Sequence, residues 1–108
     1  MKREQIANNI VADLKELAAL TSDANGAHRV AWTPTFKKAT EWFAQKMQAA
    51  GAEVWTDAAG NSWAKFAGES EECIVIGSHL DSVPDGGWLD GALGVVAGMG
   101  IGAYGLAN

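Results

Sequence analysis

An α/β fold of the αβα-sandwich kind is what this chain predicts, and three patterns predict it. Two stretches carry apolar residues at helical spacing, two short β-prone runs flank a turn, and one apolar run is unbroken, as in a strand covered by helices on both faces. The first helix spans residues 2–20, where Ile6, Ile10, Leu14 and Leu17, with Val11 and Ala18 beside them, recur on one side. The polar cluster at 21–26 ends it as a turn. The second helix opens at Thr33-Pro34, an N-cap followed by a proline whose missing N–H costs nothing in the first turn. Phe36, Thr40, Phe43, Met47 and Ala50 form its stripe, and Gly51 sits where a helix C-terminus wants a left-handed residue. Residues 53–56 and 62–66, joined by Ala58-Ala59-Gly60-Asn61, read as a hairpin. An acidic loop at 68–72 leads into 73–77, Cys-Ile-Val-Ile-Gly, which reads as a central buried strand. A turn-rich loop at 82–89 and a helix-like segment from Asp90 complete the order.

At 108 residues, with 48% hydrophobic and 19% charged residues, the chain has the size and composition of one globular domain. Thirteen acids against eight bases leave a formal charge of −5, the wrong sign for gripping nucleic acid or anionic lipid, so no nucleic-acid partner is expected. Cys73 is the only cysteine, so there is no internal disulfide, as suits a cytoplasmic protein. Residues 1–4 begin like a secretion signal, but Asn8, Asn9 and Asp13 interrupt any apolar core of one. Eight of the 13 glycines fall from Gly86 onward, where Asp90 is the only charge. Gly94, Gly98 and Gly102 are four apart, a spacing that favours close helix packing, but the uncharged stretch 91–107 lies at the short limit for a bilayer span. No membrane partner is therefore expected.

Chemistry concentrates at Ser78-His79-Leu80-Asp81, just beyond the apolar run, because open α/β sheets place ligand sites outside their strand carboxyl ends. Residues 79 and 81 share one side of an extended chain, so Asp81 is able to hold the His79 tautomer and turn its other nitrogen toward a metal. The Pro84-Asp85-Gly86-Gly87 turn lets Asp90 double back toward the histidine. Each residue also has a plain structural role open to it. His79 would serve as a hydrogen-bonded strand-end histidine, Asp81 as a loop cap and Asp90 as a helix N-cap. His28 reads as a surface residue, Cys73 as a small buried hydrophobe and Glu71-Glu72 as a solvated loop. The five tryptophans read as core or edge packing, with Trp88 near enough to Asp90 to line a cleft.

Residues 77–95, Gly-Ser-His-Leu-Asp-Ser-Val-Pro-Asp-Gly-Gly-Trp-Leu-Asp-Gly-Ala-Leu-Gly-Val, closely resemble the N-terminal metal-site motif of the N-carbamoyl-L-amino-acid hydrolase, allantoate amidohydrolase and β-ureidopropionase family. That family belongs to the dinuclear zinc peptidase and aminoacylase clan. The resemblance extends back through Arg29-Val30-Ala31-Trp32-Thr33-Pro34, Ala39-Thr40-Glu41-Trp42 and Asp57-Ala58-Ala59-Gly60-Asn61, covering residues 5–98. It implies that residues 1–108 are a single partial catalytic domain, the N-terminal part of a zinc-peptidase-like domain without a lid or dimerisation domain. It implies hydrolysis of a linear amide or ureido C–N bond by a metal-activated water. His79 would ligate one metal, Asp90 would bridge two, and Asp81 would be the active-site carboxylate positioning His79. The metals would be zinc, or manganese, cobalt or nickel, as a pair in the parent and bound weakly or not at all by this chain. The resemblance also implies a cis peptide at Asp90-Gly91. The family's Glu-Glu pair, further acid and late histidine have no counterpart, since no Glu, Asp or His follows Asp90. Two ligands without a general base fall short of a catalytic zinc site, so the chain alone is expected to be inactive. Self-association through an exposed apolar face is expected too. The competing readings are a non-catalytic α/β scaffold or interaction module, and the same chemistry directed at dipeptides or N-acyl amino acids.

Overall fold

The computed structural model describes residues 2–106. Helix α1 (Arg3–Thr21) begins with the Gln5 side chain accepting from the Lys2 backbone N–H at 3.0 Å, and ends with the Thr21 hydroxyl donating to the Leu17 carbonyl at 2.7 Å. The predicted turn that follows closes into a small antiparallel hairpin, β1 (Ser22–Asp23) and β2 (Gly26–Ala27), in which Asp23 accepts from the Asn25 N–H. Helix α2 (Pro34–Ala49) starts where its capping residues place it. Thr33 accepts from the Phe36 N–H at 3.3 Å, and Gly51 follows the helix at φ 95°.

The second hairpin pairs β3 (Glu53–Thr56) with β4 (Ser62–Lys65), ending one residue earlier than the sequence pattern suggested. Trp55 and Trp63 stand opposite each other and stack with centroids 5.9 Å apart. Asp57 organises the turn. Its carboxylate accepts from the Trp63 indole at 2.8 Å and from the Asn61 and Ala59 N–H groups, and these bonds, the indole's first, pull its pKa down to about 2.

The core is shared by three helices and one loop residue. Leu14 and Leu17 of α1, Ala39, Trp42, Phe43 and Met47 of α2, and Ala92, Val96 and Met99 of helix α3 (Ala92–Gly100) close around Leu80. A π-helical turn (Ile101–Leu106) continues α3 and stays on the body of the molecule, its Tyr104 hydroxyl donating to buried Asp13 at 2.5 Å. Residue 107, the end of the expected apolar segment, lies outside the described residues. Among those described, no helix is long and apolar enough to cross a membrane.

Helices and strands thus mix as predicted, in two small antiparallel sheets, but the central buried strand is a correction. Residues 73–77 pair with no strand, and Ile74, Val75 and Ile76 are 93%, 71% and 53% exposed. An apolar run becomes a strand only when a neighbour offers backbone partners, and here neither hairpin extends its ladder to residues 73–77. Cys73, read as buried, is consequently exposed, and Val11 lies off the buried stripe of α1. The acidic loop at 68–72 is solvated as expected.

Candidate functional site

Residues 78–91 form a loop whose back is stitched to the segment after β1. Ala27 and Gly86 exchange backbone hydrogen bonds of 2.8 and 3.0 Å, and the Ser82 N–H donates to the Arg29 carbonyl at 2.8 Å. Leu80 plugs the loop into the core. These anchors turn the flanking residues, His79 and Asp81, outward, each about half exposed.

The three candidate residues come together. His79 Nδ1 lies 3.0 Å from the Asp81 carbonyl oxygen and 3.1 Å from its Oδ1. Both are acceptors, so neutral His79 carries its proton on Nδ1 and leaves the Nε2 lone pair free. Nε2 faces Asp90 Oδ2 at 3.8 Å. Asp90 is not the helix N-cap, which falls at Gly91 and involves no side-chain bond. The Asp90-Gly91 peptide is trans, contrary to the expectation of a cis bond. The chain reverses instead through a φ of 70° at Gly91, where an added Cβ would lie 2.5 Å from the His79 ring.

A cleft of about 340 Å³ opens beside His79 and Asp81, walled by Trp32, Phe36, Thr40 and Asn61. Trp32 rather than Trp88 is its aromatic wall. It is 77% exposed, holds a φ of 66°, and meets Phe36 edge-on at 5.6 Å. In the sequence it is marked only by the adjoining helix cap and by its place in the Arg-Val-Ala-Trp-Thr-Pro stretch.

His28, expected at the surface, is half-buried between two carboxylates, 2.8 Å from Asp23 and 3.7 Å from Asp85. The His28 ring at that 2.8 Å, followed by the Asn25 N–H bond, lowers the Asp23 pKa. Among the described residues these three form a group of metal-capable side chains within 4.8 Å of one another. Their contacts with one another close a polar corner where β1, β2 and the 82–87 turn meet.

Arg29 is the residue that sequence reasoning missed. It is fully buried beneath the loop, and its Nε donates to the Leu80 carbonyl at 2.6 Å. Only its place in the Arg-Val-Ala-Trp-Thr-Pro stretch marked it.

No family model matches the chain. It is 36% identical over 95 residues to an N-carbamoyl-L-amino-acid amidohydrolase of Paenarthrobacter aurescens, a match covering 86% of this chain and 23% of that protein. Allantoate deiminase 1 of Glycine max is 37% identical over 97 residues, 87% of this chain and 20% of the relative. The crystal structure of an amidase of the hydantoinase/carbamoylase family from Burkholderia phymatum superposes with a TM-score of 0.75 at 36% identity, covering 88% of this chain and 23% of that one. The chain spans about a fifth of the length of the curated relatives it matches. In sequence and in fold, it corresponds to a fragment of the N-carbamoyl-L-amino-acid and allantoate amidohydrolase family.

Proposed function

We propose that this chain supplies part of the metal site of an amidohydrolase that cleaves linear amide or ureido C–N bonds, in N-carbamoyl amino acids or allantoate-like substrates. The observation that carries this reading is the His79 ring held between two carboxylates, Asp81 on Nδ1 and Asp90 opposite Nε2. With the Nδ1 proton directed at Asp81, the Nε2 lone pair and the Asp90 carboxylate oxygen face each other at 3.8 Å as two donor atoms. Such a pair fits a cation, and imidazole with carboxylate is the donor set of zinc and of manganese, cobalt and nickel.

A divalent cation bound there supplies Lewis acidity and a water nucleophile of lowered pKa. The chain's own work is positional. Asp81 fixes the tautomer and plane of His79, His79 and Asp90 present the two donors, and the Trp32 cleft offers an apolar wall to a small substrate. His79 and Asp90 make two of the three donors that a catalytic zinc normally takes, so little or no turnover is expected of the chain by itself. A cytoplasmic setting is consistent with the lone cysteine.

A chimera tests the reading. Replacing the matching segment of the Geobacillus stearothermophilus N-carbamoyl-L-amino acid amidohydrolase, 40% identical over 78 residues, with this chain should give chelator-sensitive hydrolysis of N-carbamoyl amino acids that His79→Ala and Asp90→Ala abolish. A folded, inactive chimera, or activity indifferent to His79→Ala, would overturn it.

A further inference from the structure

We propose that Arg29 is a positioning residue for this site, gripping the chain on both sides of Asp81 so that Asp81 and His79 keep their mutual orientation. The proposal rests on the reading of His79 and Asp90 as metal donors only for its consequence for metal affinity. Three hydrogen bonds make the grip. Arg29 Nε donates to the Leu80 carbonyl at 2.6 Å, its backbone N–H donates to Ser82 Oγ at 3.0 Å, and its carbonyl accepts from the Ser82 N–H at 2.8 Å. Asp81 is the single residue between those anchor points, and its carboxylate and carbonyl are the two acceptors of His79 Nδ1.

Packing alone does not explain a guanidinium there. Arg29 is 0% exposed, and among the described residues its Nη1 reaches only the Thr21 hydroxyl at 3.4 Å and its Nη2 has no hydrogen-bond partner. A buried cation without a bonded carboxylate is costly, and an apolar side chain would fill the space without that cost. The opposite charges whose fields favour it are Asp81 and Asp90, both in the site, and they offset its burial only in part. Burial lowers the Arg29 pKa, and the fields of those two carboxylates oppose the shift. The planar fork also matters. Nε points along a direction fixed by the guanidinium plane, which a lysine ammonium cannot reproduce.

Nitrogen-15 NMR of the 108-residue chain at neutral pH is the test, applied to the wild type, Arg29→Lys and Arg29→Met, with Leu14→Ala as a purely destabilising control. In the wild type the Arg29 Nε–H should be protected from solvent exchange, and His79 should be predominantly the Nδ1–H tautomer. Both Arg29 variants should lose the tautomer bias and bind Zn²⁺ about tenfold more weakly, lysine failing to rescue, whereas Leu14→Ala lowers the melting temperature with the tautomer unchanged. An unchanged tautomer, with Zn²⁺ affinity within about twofold of wild type in Arg29→Met, would overturn the proposal. So would a wild-type Nε–H that exchanges as fast as in free arginine, a result that needs no variant to fold. If the tautomer responds to Arg29 while Zn²⁺ leaves His79 undisturbed, the positioning role stands and the metal reading falls.

Discussion

Gly91 shows how closely single positions are determined around His79. At φ 70° a Cβ would be strained by backbone conformation alone, and it would also press on the imidazole at 2.5 Å. Gly91→Ala should therefore cost about 1–3 kcal/mol in chemical denaturation and displace the His79 ring resonances. A variant as stable as wild type with an unmoved ring would contradict this. Asp57 gives a pH prediction. Its folded pKa of about 2 lies below the ordinary 3.8, so its stabilisation of the β3–β4 turn is present above about pH 4 and fades as pH falls toward 2. The Trp63 indole N–H signal should lose its hydrogen-bonded shift in that window, and Asp57→Asn should flatten the response. The meeting of His79, Asp81 and Asp90 was legible because their spacing and intervening turn are local properties of the chain. Arg29 and Trp32 were not, because burial of a charge and exposure of an indole depend on what other segments bring to them.

Helices α1 and α2 and the β3–β4 hairpin were legible for the same reason, since apolar period, Thr33-Pro34 and Gly51 act within a few residues of themselves. The apolar run at 73–77 was misread because strand formation needs a partner, and its length and composition are silent about whether one arrives. The glycine-rich tail was legible only as a packing helix. Its glycines look unfavourable for an isolated helix, yet Gly94 lies where a Cβ would meet the Ser78 Cβ at 2.7 Å, and Gly98 where it would meet Ile76 at 3.0 Å. Helix propensity alone has Gly94→Ala stabilise by up to about 1 kcal/mol, whereas close packing has it destabilise by about 1–3 kcal/mol. The sign in thermal unfolding decides between them. Tyr104 ties the tail to α1. Burial, then its bond to Asp13, raises its pKa from 10.0 to about 12, so its contribution is intact below about pH 10 and lost as pH rises toward 12. Tyr104→Phe should remove that alkaline loss at a cost near neutral pH of about 1 kcal/mol.

Taken whole, the molecule couples a three-helix core to a loop that presents a histidine between carboxylates, with an exposed apolar run on the approach to it. Ile74, Val75 and Ile76 lie in a segment that no strand covers, in a chain matching about a fifth of its relatives' length. Such a run should drive self-association, with Ile74→Lys and Val75→Lys shifting the light-scattering mass toward the monomer. An unchanged mass in both variants would contradict that. A zinc titration of the chain read by NMR at individual side chains addresses the site itself. His79 and Asp90 should respond together with one dissociation constant, and His79→Ala should silence Asp90 while leaving the Asp23, His28 and Asp85 corner unaltered. An Asp90 response that survives loss of the His79 imidazole would show that the two side chains share no cation.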